Sequence, residues 1–383
     1  MRYPVLVEVE GLAGAAILRS LAIAGTQAAW RVRDDVVAGS GCPAAEDLLF
    51  PARDPADAAL AGRIEQLAPH VVRPVRMVDV ASGGGLFGRL FGGRRKGERI
   101  DLAQHAAGKP MKVRHGDGTL ERAILVDVPR LTVALAIDAV ARGAVIERSA
   151  KAAGDAVIGP MDADREPAFA AVIRRPFPQD FGYRLRCGDG VGMVAVPLDL
   201  DLMLLQRPLG GSAPEQAGWE MLESFGRRFG SRPGAADVKA AEARDPDSRG
   251  ATVRDLFDCG RLMAGQGHFD LDTPLNDQQM AGGFGIFANQ IAANYSHLDA
   301  AWVRAVVGRH GGAAPEVLGA SHRESDLGED FGAGLRAREA RWMIDREWAN
   351  TPDDIIRRRG RFAWHGVDLK RLSRWMDRGA PLV

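Results

Sequence analysis

Apolar positions at the start of the chain fall in short dense runs punctuated by glycine. Residues 4–9 are β-rich and few, as a strand buried on both faces should be. Gly11-Leu12-Ala13-Gly14 follows as a turn. Residues 15–24 predict a helix whose small side chains permit close packing, stopped by Gly25. Residues 27–32 predict a second strand, so the opening reads as the first part of a βαβ unit. Downstream, 57–67 carries helical periodicity and 71–80 reads as a strand. Residues 129–142 predict a helix closed by Gly143, with a strand at 144–146. Short strands are expected at 157–158, 170–173, 183–186 and 193–196, and a helix at 214–225. The stretch 228–250, rich in Gly, Pro, Ala and charge, reads as a surface loop.

From about His297 the pattern is helical throughout, with helices at 297–309 and 335–348. Thr351-Pro352-Asp353-Asp354 is a helix start: a cap, a proline for the first turn, and two carboxylates at the positive helix end. A last helix is expected from Asp368 to Asp377. These shifts divide the chain into 1–150, 151–296 and 297–383, in keeping with roughly 150 residues per domain.

Composition narrows the function classes. Fifty basic residues balance fifty acidic ones among 383, so no global field draws the chain to nucleic acid. Cys42, Cys187 and Cys259 lie far apart, which excludes a disulfide framework and zinc-ligand spacing and suits buried free thiols. Glu8, Glu10 and Arg19 interrupt the N-terminal apolar runs, and no stretch reaches the roughly eighteen apolar residues of a membrane span. A cytoplasmic protein, peripheral on a membrane at most, is expected.

Few local features suggest chemistry. The eight histidines show no metal spacing. His268 with Asp270 and Asp272 reads as a polar strand edge rather than a metal or acid–base site. Asp127 and Arg130 suit a helix-start cap and ion pair. The arginines of the last region (Arg336, Arg338, Arg341, Arg357, Arg358, Arg359, Arg361) are interleaved with acids, as on a salt-bridged surface. Leu86, Phe87, Leu90 and Phe91 beside Arg89, Arg94, Arg95 and Lys96 suit either an anchor on anionic lipid or a loop in contact with protein.

Several blocks carry a resemblance. LGEDFGAGL (327–335), EARWMIDREWANTPDDII (339–356) and Arg357-Arg358-Arg359 resemble, in order and spacing, the helical cap of the FAD-dependent glycerol-3-phosphate dehydrogenases. His70-Val71-Val72-Arg73-Pro74, LFGRLFGGRRKG (86–97) and Val126-Asp127-Val128-Pro129-Arg130-Leu131 resemble other blocks of that family. The resemblance implies an α/β flavoprotein with a Rossmann-type, DAO-like FAD domain, an α+β substrate domain and an all-helical C-terminal domain. It also implies oxidation of glycerol 3-phosphate, with electrons passed to quinone at a membrane surface.

The family's chemical motifs are only partly present. Its dinucleotide fingerprint needs three glycines; here the first falls on Val9, followed by Glu10, while Gly11 and Gly14 remain. A β-branched residue at the tight turn is expected to cost about 1–3 kcal/mol if its conformation is sparsely populated. Glu10 is expected to satisfy the helix end itself and repel a phosphate. The ribose-binding acid falls on Val32. The family's His-Gly-Gly-Leu-Arg-Tyr segment has no counterpart. Its Gly-Gly-Lys and Thr-Thr-Tyr-Arg runs fall on Gly282-Gly283-Phe284 through Asn289, so Phe284 and Asn289 replace the cations. Two readings stay open. One is a family member that has lost FAD binding and catalysis, binds no cofactor, and acts through a protein partner or as an oligomer. The other is an FAD-dependent oxidoreductase with a diverged site, using Gly11, Gly14, Gly282 and Gly283.

Overall fold

The structure, a computed structural model, describes residues 2–32, 49–52, 54–80, 98–101, 117–149, 151–159, 167–175, 181–198, 201–229, 233–244, 253–275 and 283–381. The chain opens with β1 (Arg2–Val7), α1 (Gly11–Ile23) and β2 (Ala28–Arg31). Next come β3 (Leu49–Pro51), α2 (Pro55–Leu67), β4 (Val72–Val80), β5 (Glu98–Asp101) and β6 (Asp117–Val126). α3 (Val128–Ala141) and β7 (Val145–Glu147) follow, then β8 (Ala153–Ile158), β9 (Ala168–Arg174), β10 (Phe181–Arg186), β11 (Gly192–Pro197) and β12 (Leu202–Pro208). α4 (Pro214–Phe229), β13 (Val238–Arg244) and α5 (Leu256–Leu262) lead to a helical region. It holds α6 (Phe284–Asn294), α7 (Ala300–His310), α8 (Ala314–Leu318), α9 (Ala337–Glu347), a π-helix (Asp354–Arg359) and α10 (Leu369–Asp377).

One sheet is wholly parallel, in the order β7-β2-β1-β8. α1 and α3 pack on one of its faces. Helix α1 is buried nearly all round, and its Gly and Ala residues let it approach both the sheet and α3. It begins at Gly11 rather than Ala15, so 11–14, expected as a turn, is its first turn. Gly11 takes a φ of 62°, which glycine adopts without strain. Gly14 has no room for a side chain: a Cβ there would overlap the Val9 carbonyl oxygen and lie 2.7 Å from Trp30 Nε1. Arg19, fully buried on α1, donates to Asp138 on α3 (2.6 Å) and to the carbonyls of Thr273 (2.5 Å) and Pro274 (3.2 Å). A buried charge is tolerable only when paired and hydrogen-bonded in this way.

The second sheet is mixed, in the order β13-β9-β12-β11-β10-β4-β6-β3, with β5 also on β6. On one face Met221, Phe225 and Phe229 of α4 pack against Tyr183, Leu185, Met203 and Leu205. On the other, Val75, Leu125, Val172 and Leu204 are covered by Trp364 from the helical region. The stretch 228–250, expected as a loop, contains β13, which pairs with β9 in antiparallel fashion. Its sequence, VKAAEAR, mixes charge with alanine, which suits an edge strand and hides it from a search for apolar alternation. The segment after His268 is a turn rather than the expected strand edge. The Asp270 carboxylate accepts from the Asp272 and Thr273 N–H groups at 2.8 and 2.9 Å.

The helical region starts before His297. Phe287 and Ile291 of α6 share a core with Val303, Val306, Val307, Val317 and Leu318. A second core joins Phe331, Met343, Ile355, Phe362, Leu372 and Trp375. The expected start at Thr351 is present: Asp354 N–H donates to Thr351 Oγ1 (3.1 Å), and the Asp354 carboxylate accepts from the Asn350 and Thr351 N–H groups. The residues beyond it wind as a π-helix. The architecture is thus a Rossmann-like α/β core with an all-helical C-terminal region.

Gly14→Ala should destabilise the chain by about 1–3 kcal/mol through overpacking, read as a lower midpoint in urea unfolding. Gly62→Ala, in open space on α2, should not.

Candidate functional site

In an open parallel sheet, ligands settle outside the carboxyl ends of the strands, where the strand order reverses. Here that point lies between β1 and β8: β1 connects one way to β2, while β8 arrives on its other side. The β1–α1 turn stands there, and α3, which runs back before β7, starts at the same end.

The turn keeps the backbone of a phosphate cradle. Gly11 is left-handed, Gly14 closes on the Val9 carbonyl, and α1 begins without a side-chain cap. Two expectations need correction. Val9 has no positive φ and is 1% exposed, so the missing first glycine causes no backbone strain. The Val9 carbonyl is instead fixed by Trp30 Nε1–H at 2.7 Å. Glu10 occupies the N-cap position with extended backbone (φ −86°, ψ 159°), yet its side chain makes no capping hydrogen bond. It therefore does not satisfy the helix end as expected. Val32 is buried, and its N–H donates to the Glu147 carbonyl (3.0 Å). In its backbone the turn fits the pyrophosphate of a dinucleotide; the Glu10 carboxylate is the group beside it whose charge opposes one.

Gly283 is the N-cap of α6, with φ 100° and no side-chain cap. Gly282 lies outside the described residues, as do Leu86, Phe87, Arg89, Leu90, Phe91, Arg94, Arg95 and Lys96. Phe284, the first residue of α6, has its ring centroid 6.4 Å from that of His70. His70 precedes β4, its Nδ1 is buried without a partner, and burial, with the charges of Arg130 and His310, pushes its pKa down to about 3. The ring is neutral near pH 7.

At the start of α3 the chain assembles a buried charge network that sequence reasoning missed. Asp127 caps α3 as expected, accepting from Arg130 N–H at 3.2 Å. The expected Asp127–Arg130 side-chain pair gives way to two longer-range ones. Asp127 pairs with Arg361 (3.0 Å), and the Arg130 guanidinium grips both oxygens of Glu347 (2.7 and 2.9 Å) and donates to the Arg309 carbonyl (2.7 Å). His310 bridges two carboxylates, with Nε2 2.9 Å from Glu339 and Nδ1 3.0 Å from Glu347. Nδ1 also lies 3.0 Å from Arg130 Nη2. A neutral ring satisfies this by accepting from Arg130; a protonated one satisfies both carboxylates. Arg309 holds Glu339 at 2.6 and 3.0 Å, and Arg359 donates to the Glu347 carbonyl. The sequence signal was faint: Glu339 and Glu347 flank buried Met343 at four-residue steps on one stripe of α9. The outer arginines pair as expected, Arg341 with Asp345, Arg357 with Asp353 and Arg358 with Asp354. Cys187 and Cys259 are buried thiols, and burial raises both pKa values. Among the described residues no group of His, Cys, Asp and Glu could hold a metal, and no helix is long and apolar enough to cross a membrane.

Burial alone would raise the pKa of Glu339, but the charges of Arg309 and His310 outweigh it and hold the carboxyl at about 2. Arg130 and His310 likewise hold Glu347 far below the ordinary range against its burial. A carboxyl whose folded pKa is depressed stabilises the fold above its unfolded value, here near 4.5, and loses that contribution as the pH falls through the folded value. Stability should therefore drop between pH 4.5 and 2, and Glu339→Gln should flatten the drop in thermal melts across that window. Arg130→Ala, which strips buried Glu347 of its guanidinium and leaves it only His310, should cost about 3–5 kcal/mol in urea unfolding.

No family model matches the chain. It is 27% identical over 114 residues to the D-erythritol 1-phosphate dehydrogenase of Brucella abortus, which is 29% of this chain and 23% of that protein. It is 30% identical over 92 residues to the aerobic glycerol-3-phosphate dehydrogenase of Escherichia coli, 24% of this chain and 18% of that one. The matches thus span less than a quarter of these relatives' own length. The glycerol-3-phosphate dehydrogenase structure from Bacillus halodurans, complexed with FAD, aligns over 98% of this chain and 89% of its own, with a TM-score of 0.72 at 17% identity. The chain therefore shares the fold of that glycerol-3-phosphate dehydrogenase along nearly its whole length, and short stretches of it are similar in sequence to two dehydrogenases of phosphorylated polyols.

Proposed function

We propose that this chain is an FAD-dependent oxidoreductase with a diverged flavin site, oxidising a small hydroxyl-bearing substrate. The carrying observation is the β1–α1 turn: left-handed Gly11, the Gly14 contact with the Val9 carbonyl, and an α1 end without a side-chain cap. Backbone N–H groups at such an end, aided by the helix dipole, are what a pyrophosphate needs. The likeness to a fold solved with FAD supports the reading. When bound, FAD would supply the two-electron acceptor that oxidation of an alcohol to a carbonyl requires. The chain's own part is to seat the pyrophosphate on α1 and the substrate near the starts of α3 and α6.

One observation favours a second reading, a member without flavin that works through protein contacts. Glu10 stands at the phosphate-binding end, and α6 carries Phe284 and Asn289 where the family resemblance implies cations. Association with an anionic membrane through residues 86–96 belongs to the same open proposals.

The purified protein should be yellow, or become so with added FAD, with flavin retained stoichiometrically on gel filtration. A protein that stays colourless would remove the first reading and leave the second. Glu10→Gly should tighten FAD binding at least tenfold, about 1.4 kcal/mol, in a fluorescence-quenching titration.

A further inference from the structure

The helical region carries a cleft that the oxidoreductase reading does not use. It lies between the start at Thr351 and helix α10, with a volume of about 770 Å³. Small-molecule sites span about 300–1,000 Å³. One wall is Thr351-Pro352-Asp353, and the other is Leu369, Lys370, Ser373 and Arg374 of α10. The pattern of α10 explains why the second set converges. Leu372 and Trp375 turn into the core shared with Phe331 and Met343. Residues 369, 370, 373 and 374, three and four apart, then fall on one adjoining stripe.

The lining is amphiphilic. Leu369, which is 43% exposed, and Pro352 supply apolar surface. Beside them stand the Lys370 ammonium, the Arg374 guanidinium and the half-buried Ser373 hydroxyl. Arg374 Nε donates to the Lys370 carbonyl at 3.2 Å, so the two cations are tied one turn apart. The carboxylate of this cleft, Asp353, is held by Arg357 at 3.1 Å. Arg374 also lines a second cleft, of about 540 Å³, with Glu329, Arg371, Asp377 and Arg378. There Glu329 is held by both Arg371 (2.6 Å) and Arg378 (3.2 Å). Two cations and a hydroxyl thus border an apolar surface in the first cleft. An oxyanion would receive charge-assisted hydrogen bonds from them, and an aliphatic body would cover Leu369 and Pro352.

We propose that the cleft between the Thr351 start and α10 binds a small organic anion, a carboxylate borne on an aliphatic chain. Lys370 and Arg374 take the carboxylate with Ser373 as a further donor, and the chain lies over Leu369 and Pro352. The site is separate from the β1–α1 turn, so it stands whether or not that turn holds a flavin.

The test is titration calorimetry on the full-length protein with octanoate as probe. The native chain should bind it saturably, with a Kd at or below about 1 mM. Octanol, which lacks the charge, and acetate, which lacks the chain, should each bind at least about tenfold more weakly. Lys370→Glu combined with Arg374→Glu, at exposed positions, should weaken octanoate at least about tenfold. Ser373→Trp, which fills the cleft without changing its charge, should do the same, and far-UV circular dichroism checks that both variants are folded. Absence of saturable octanoate binding by the native chain overturns the proposal. So does unchanged affinity in both folded variants, because the probe would then sit elsewhere. Octanol or acetate binding as tightly as octanoate overturns it as well, since the cleft would not be reading a charge and a chain together.

Discussion

The grip of Arg130 on Glu347 is the contact on which the relation of the two halves of the molecule depends. It ties the first turn of α3, beside the candidate crevice, to the end of α9 in the helical region. His310, Glu339, Arg309 and Arg359 close around it, so each buried charge has an opposite charge or a carbonyl for a partner. A buried ion pair of this kind is weak evidence for net stability, since desolvation can offset the attraction. Its clearer effect is on geometry, because a bidentate guanidinium–carboxylate pair allows few relative orientations.

The backbone around the network bears this out. Trp348 and Arg361 both sit in the left-handed region, with φ of 57° and 54°. That conformation costs a non-glycine residue roughly 1–2 kcal/mol. Each is tied across to the α/β core, the Trp348 carbonyl by Arg148 and the Arg361 side chain by Asp127. The π-helix between them carries fully buried Arg359. Strain persists where surrounding contacts over-determine the path of the chain, and here those contacts set where the helical region sits relative to α3.

Much of the fold was legible where local pattern and burial coincide. The βαβ opening, the α3 helix with its Asp127 cap and Gly143 stop, and the start at Thr351 all follow from residues acting within a turn or two of themselves. β13 escaped because its pairing with β9 uses backbone groups and asks little of its side chains. The buried network escaped for a related reason. Arg130 and Glu347 are far apart in sequence, and nothing local marks a glutamate that will be buried. At the crevice, reading a motif residue by residue misjudged Val9 and Glu10. A glycine pattern records which residues a turn tolerates most easily, not which it strictly requires, and Val9 holds the turn with its carbonyl fixed by Trp30.

Glu10 decides how strongly that turn can hold an anion. Two like charges about 6 Å apart repel by about 3 kcal/mol at an effective dielectric of about 20. Against this, each hydrogen bond from a backbone N–H to a charged oxygen contributes about 1.5–3 kcal/mol, and the helix dipole adds up to about 2 kcal/mol. Two such bonds already match or exceed the repulsion. The carboxylate is also not seated on the helix end, so a ligand need not break a cap to reach the N–H groups. The backbone of the turn therefore governs whether a dinucleotide is held there, and the carboxylate governs how tightly.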